Sequence, residues 1–172
     1  IPQSIIDEAK ILYKDISTKK ISRGVNRHGL IASSVYMSCK KHNVPRSAKE
    51  IAKVFKIDVT TMTKGCKKFH DITKSNVVCS NPEDFIVRFC CNLNISDKYL
   101  NLSNSIINKA DEYSIVSENA PTSIAAGVIF LVSNLCNIGI QKKDISKKCD
   151  ISEVTINKCF KKLTKYQKLL IT

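Results

Sequence analysis

Apolar residues recur along this chain at helical spacing, three and four apart. Ile5, Ile6, Ala9, Leu12, Tyr13 and Ile16 form one such stripe and predict an amphipathic helix over residues 3–17. The polar, basic stretch STKKISRGVNRHG that follows predicts a loop. Residues 28–42 return to an apolar pattern with small residues on it (Ala32, Ser33, Ser34, Ser38), as expected of a central helix that lets its neighbours approach closely. In RSAKEIAKVF, Ser47 and Glu50 stand at the spacing of a capping box and open a short helix. After the tight turn KID, Asp58 is placed to cap a last helix over 59–71. Further on, NPEDFIVRFCCNL (81–93) predicts a helix with Asn81 as cap, Pro82 in its first turn, and Phe85, Ile86, Phe89, Cys90 and Leu93 facing inward.

The pattern then repeats. Residues 29–69 laid on 123–163, an offset of 94 without gaps, match at Ala32/Ala126, Asn43/Asn137, Lys49/Lys143, Ile51/Ile145, Lys53/Lys147, Ile57/Ile151, Thr61/Thr155, Lys64/Lys158, Lys67/Lys161 and Lys68/Lys162. Tyr36 falls on Phe130 and Glu50 on Asp144. Upstream, SIIDEA (4–9) answers SIINKA (105–110) at an offset of 101. Ser152 takes the capping place of Asp58. Repetition at this length means two copies of one helical unit, not a solenoid of short repeats. The expected architecture is all-α and two-domain: residues 1–74, a linker at 75–81, and residues 82–172. Each copy closes on a short helix, a tight turn and a longer Lys-bearing helix, which is helix-turn-helix order.

Composition agrees and narrows the function. Five Gly, four Pro and no Trp suit helices better than a sandwich of tight turns. The formal net charge is +13, unevenly placed. Counting Lys and Arg against Asp and Glu, residues 1–74 carry 16 against 6, residues 75–140 carry 3 against 6, and residues 141–172 carry 9 against 3. Such an excess points to a polyanionic partner. The uncharged run APTSIAAGVIFLVSNLCNIGIQ (120–141) is long enough to be weighed as a membrane span. Asn134 and Asn137 within it are expensive in lipid, so a helix buried by its neighbours is the better reading, with no membrane partner. The eight cysteines form no Cys-x-x-Cys pair and sit mostly in apolar helical patterns, as small buried hydrophobes do. Cys39 and His42 lie one turn apart, but two ligands make no zinc site. His28, His42 and His70 lie in or beside basic segments, and no phosphate loop, carboxylate pair or nucleophile–base pair is visible, so no enzyme is expected.

IPQSIIDEAKILYKDI, LIASSVYMSCK, VPRSAKEIAKVF, FIVRFCCNL, PTSIAAGVIFLVS and ISEVTINKCFKKL together resemble the core of the transcription factor IIB family, over residues 1 to about 166. The resemblance implies two tandem cyclin-like repeats of five helices, the first without its leading helix. It implies a general initiation factor core, acting as a monomer, that clamps the complex of TATA-binding protein and promoter DNA flanking the TATA box and helps recruit and orient RNA polymerase II. It also implies a nuclear location, or a cytoplasmic one if the source is archaeal or viral. No cofactor is expected in these residues. The family's zinc belongs to an N-terminal ribbon that would precede this stretch in a longer parent chain.

Carried over by position, the upstream major-groove readers fall on Ser152, Val154, Asn157 and Lys161, and the downstream contact on Arg23, Gly24 and Val25. Animal members of the family have arginine where Asn157 stands, and Val25 replaces a second arginine. Arginine reads guanine and asparagine suits adenine, so a weaker or A·T-leaning upstream preference is expected. Lys64, Lys67 and Lys68 in the first copy, and Thr155, Lys158, Lys161, Lys162 and Lys165 in the second, complete the candidate DNA surface, the lysines neutralising phosphates. Two alternatives share the fold: the related factor of RNA polymerase III, and a cyclin-type protein-kinase regulator.

Overall fold

The computed structural model describes residues 1–74 and 80–171. Of the expected linker, residues 75–79 lie outside the described residues, as does Cys79. All regular structure among the described residues is helical. The chain divides into two compact units, Ile1–Ser80 and Asn81–Thr172.

Unit 1 holds α1 (Gln3–Lys19), α2 (Gly24–Lys41), α3 (Ala48–Val54) and α4 (Val59–Thr73). The second helix is its centre, packed against the other three. Small side chains make this possible. On α4, Gly65 lies between the buried Met62 and Phe69, and a Cβ there would stand 2.3 Å from the Gly29 carbonyl oxygen and 2.6 Å from Ser33 Oγ. The two helices therefore cross backbone against backbone. Ser33 Oγ and Ser34 Oγ donate to the carbonyls of Gly29 and Leu30 in their own helix, and Ser38 Oγ donates to Ile5 O of α1 at 2.7 Å. The buried hydroxyls are thus satisfied without a polar partner in the core. Apolar side chains gather on both sides of the crossing, Ala32, Ile51, Ala52 and Met62 on one, Ile16, Leu30 and Phe69 on the other.

Unit 2 repeats this plan with additions. It holds α5 (Glu83–Leu93), a 3-10 turn (Asp97–Tyr99), α6 (Leu100–Glu112), α7 (Pro121–Leu135), α8 (Lys142–Cys149), α9 (Glu153–Lys165) and a short α10 (Gln167–Ile171). The uncharged helix α7 is buried without a break from Ser123 to Ser133. No helix among the described residues is long and apolar enough to cross a membrane. The crossing of α7 with α9 differs from that of unit 1, where both helices supply a glycine, Gly29 and Gly65. Here the central helix supplies the glycine, Gly127, and α9 supplies Cys159.

The structure corrects three local expectations. The basic loop expected over residues 17–29 shrinks to four residues, because α1 runs on to Lys19 and α2 starts at Gly24. Ser17 and Thr18 hydroxyls bond back to the Lys14 and Asp15 carbonyls, which keeps a polar stretch helical where no apolar stripe announces it. At α5, Pro82 has helical angles as expected, but the start shows no side-chain cap bond of the kind expected of Asn81, whose backbone N–H instead donates to the Asp84 carboxylate. The helix α10, unexpected from sequence, buries Leu170 and packs on α6 and α9. Among the cysteines, Cys39, Cys90, Cys149 and Cys159 are buried, and burial pushes the Cys90 and Cys159 thiols up to about 11, so they stay protonated and unreactive.

Candidate nucleic-acid interface

Both helix-turn-helix corners are built by the same local chemistry. In each, the first helix ends on a residue with left-handed backbone, Lys56 (φ 52) or its repeat mate Asp150 (φ 56). The next residue is the repeated isoleucine. Ile57 N–H donates to Ala52 O at 3.0 Å and Ile151 N–H to Ser146 O at 3.3 Å, the six-to-one bond that stops a helix and turns the chain. A capping side chain then starts the last helix. Asp58 accepts from Thr61 N–H at 2.6 Å and from Thr61 Oγ1 at 2.8 Å, and Thr60 Oγ1 also donates to it. These bonds hold its carboxyl well below the usual carboxylate range. Ser152 accepts from Thr155 N–H at 3.2 Å and shares a hydroxyl–hydroxyl bond of 2.7 Å with Thr155. The repeated threonine is thereby explained as the third residue of a capped helix.

On α9, Ile156, Cys159 and Leu163 are buried. Opposite them, at spacings of three and four, stand Val154, Lys158, Lys161 and Lys165, all exposed, Val154 at 65%. Asn157, half-buried, lies on the edge of that face. Its Oδ1 accepts a 2.8 Å bond from Lys142 Nζ, at the start of α8. The same ammonium lies 5.2 Å from the centroid of the Phe130 ring, which packs edge-on against Phe160. The fourth helix α4 exposes Lys64 and Lys67 on the matching face, but its equivalents of Asn157 and Lys165 are Thr63 and Asp71. The net result is a two-lysine face ending on an acidic residue in unit 1 and a mixed basic, apolar and amide face in unit 2.

Lys68 and Lys162, repeat mates expected among the phosphate contacts, are otherwise engaged in this structure. Lys68 Nζ donates to Ser22 Oγ at 2.7 Å. Lys162 Nζ pairs with the Glu118 carboxylate and reaches Asn119 Oδ1 at 3.4 Å. Each lysine ties the last helix of its unit to the loop entering the central helix. At the other candidate site, Arg23 stands at the N-terminal boundary of α2 with extended backbone (φ −125) and Gly24 follows with φ +54, both exposed. Val25 beside them is 62% exposed. Residues 23–25 thus form the protruding N-terminal edge of α2, not the middle of a long loop.

Lys142, Ser22 and Glu118 escaped sequence reasoning. Lys142 carried one available signal, since its repeat mate is Ala48, a departure inside an otherwise lysine-rich match. Among the described residues no group of three or more His, Cys, Asp and Glu could hold a metal ion.

Comparison with known proteins yields a consistent set. The model of the transcription factor TFIIB repeat matches twice, at residues 1–72 and 75–166, and these repeats form cyclin-like folds. A transcription initiation factor IIB-like protein of Acanthamoeba polyphaga mimivirus is 37% identical over 99% of this chain and 41% of its own length. Transcription initiation factor IIB of Encephalitozoon cuniculi is 30% identical over 97% of this chain and 54% of its own. That of Methanococcus maripaludis strain C5 is 27% identical over 100% of this chain and 51% of its own. The chain spans about half the length of these relatives or less.

Proposed function

The chain belongs to the transcription factor TFIIB repeat family, and from that premise we propose that it is the two-repeat core of a general transcription initiation factor. It docks on the TATA-binding protein seated on promoter DNA, contacts the DNA flanking the TATA box, and helps position RNA polymerase II in the nucleus. In an archaeal or viral source the same work is done with that system's polymerase, in the cytoplasm.

The observation that carries this reading is the outer face of α9. Val154, Asn157, Lys158 and Lys161 project together from a capped helix that a helix-turn-helix corner sets off from α8. Lysines supply phosphate contacts, Val154 can meet a thymine methyl, and the Asn157 amide can bond a base edge. The Lys64 and Lys67 side of α4 suits backbone contact, and the Arg23–Gly24–Val25 edge of α2 suits a shallow groove approached closely by backbone.

A gel shift on a TATA-box duplex, with and without the TATA-binding protein over a salt series, tests the proposal. A supershift of the preformed complex, with only weak binding to bare duplex at low salt, is the expected result. Failure to supershift at any salt, with the protein folded, overturns it and returns attention to a kinase-binding cyclin role.

A further inference from the structure

We propose that Lys142 sets the base preference of α9 by holding the Asn157 amide oxygen and making its NH2 group the favoured reader. The inference rests on the promoter-binding role proposed above and concerns how that surface chooses a base.

An ammonium has only hydrogens to offer, so the group facing Lys142 Nζ must be the amide oxygen of Asn157. The identity of the two amide atoms is therefore fixed by chemistry. With one Oδ1 lone pair given to Lys142, the NH2 group keeps both its hydrogens for a partner. Adenine presents an acceptor at N7 and a donor at N6, and asparagine reads it by accepting with oxygen while donating with nitrogen. Here one lone pair of the oxygen is taken by Lys142, and an N6 amino group approaching the other would meet the ammonium beside it. Guanine presents two adjacent acceptors, N7 and O6. The Asn157 NH2 group, with the Lys142 ammonium bonded at 2.8 Å to the oxygen of the same amide, offers donors to that edge.

The pair is also held in place. Lys142 and Asn157 are both half-buried, and the ammonium sits over the Phe130 ring. Side-chain freedom that would let the pair adapt to adenine is correspondingly reduced. The device belongs to unit 2 alone. In unit 1 the corresponding positions are Ala48 and Thr63, and the Thr63 hydroxyl bonds back to Val59 O at 2.8 Å. Lys142 acts through Asn157 as a positioning residue and adds its own remaining N–H groups to the donor edge. The resulting preference is opposite to that expected from asparagine alone.

Competition among duplexes varied upstream of the TATA box, bound to this chain on the preformed TATA-binding-protein complex, tests the inference. Wild type is expected to favour guanine over adenine at one upstream position by about tenfold, the scale of one good base-edge contact. Lys142→Met frees the amide oxygen and should bring the ratio to about unity or tip it toward adenine, whereas Lys142→Arg, still a pure donor, keeps guanine ahead. A change in overall affinity or salt slope with an unchanged guanine-to-adenine ratio would mean that Lys142 touches phosphate only, and the inference falls. Adenine preferred by the wild type, or no preference, overturns it without recourse to any variant and leaves promoter binding standing. If the wild type joins no complex at any upstream sequence, the function and this inference fall together.

Discussion

Cys159 occupies the space that a side chain on Gly127 would need: its Sγ lies 2.6 Å, and its own Cβ 2.8 Å, from the place a Cβ on Gly127 would take. In unit 1 the same crossing is solved differently, with Gly65 on α4 facing both Gly29 and Ser33 on the central helix. Each unit therefore allows one small volume at the crossing and divides it differently between the two helices.

Substitution at the crossing follows from those distances. Gly65→Ala drives a methyl into a backbone carbonyl and should destabilise unit 1 by about 3 kcal/mol, at the upper end for overpacking. Gly127→Ala meets a small side chain and should cost less, about 1–2 kcal/mol. Adding Cys159→Gly to Gly127→Ser places at these two positions the residues that unit 1 has at Gly65 and Ser33. The pair should be less destabilised than the sum of its single changes by about 1 kcal/mol or more in a denaturant double-mutant cycle. Strict additivity would show that the crossing is not the constraint.

The helix-turn-helix corner of unit 1 carries a lysine where the backbone is left-handed. For an L-residue that conformation costs about 1 kcal/mol, and glycine avoids it. Lys56→Gly should raise stability by about 0.5 kcal/mol, after allowance for glycine's greater entropy loss. Asn43 and Asn137, at φ 53 and 51, end the two central helices with the same six-to-one bonds from Val44 and Ile138. Their replacement by valine should destabilise both units, as a branched side chain tolerates this region poorly. Thermal melts distinguish the two directions of change.

Asp58 makes unit 1 acid-sensitive. Its folded pKa is depressed by bonds from Thr60 and Thr61, so the folded state binds that proton less readily than the unfolded chain. The stabilisation is fully present above the ordinary aspartate range and is lost as pH falls through the folded value. Asp58→Asn retains an N-cap without the titration, and its melting temperature should fall less steeply with acid than that of wild type. Ser152→Ala removes the cap of α9 and should cost unit 2 about 1 kcal/mol at every pH. Parallel acid curves for wild type and Asp58→Asn would remove Asp58 as the cause.

The two classes of lysine should separate in a salt titration of promoter binding. Lys158→Ala and Lys161→Ala each remove an outward charge and should lower the slope of log affinity against log salt by about 0.9. Lys68→Ala and Lys162→Ala should lower it by less, since Ser22 and the Glu118 carboxylate already hold those ammonium groups. Glu118→Gln frees Lys162 and removes a negative charge beside α9, and should raise both affinity and slope. Equal slope losses for all four lysines would place Lys68 and Lys162 on the DNA after all.

Helices α1 to α9, the two copies and the caps Ser47, Asp58 and Ser152 were determined by the sequence alone. Apolar spacing, the Ser47–Glu50 box, Asp58 and Ser152 are local signals, since each bond spans only three or four residues. Both ends of the basic stretch after α1 were misread, because a polar helix bonded through Ser17 and Thr18 to its own carbonyls leaves no apolar pattern. The different placement of glycine at the two crossings, the tethering of Lys68 and Lys162, and the bond from Lys142 to Asn157 were decided only by the tertiary structure. These link residues 15 to 46 positions apart. Such contacts depend on how closely two packed helices approach, and side-chain volume at a crossing, not periodicity along one strand of sequence, sets that distance.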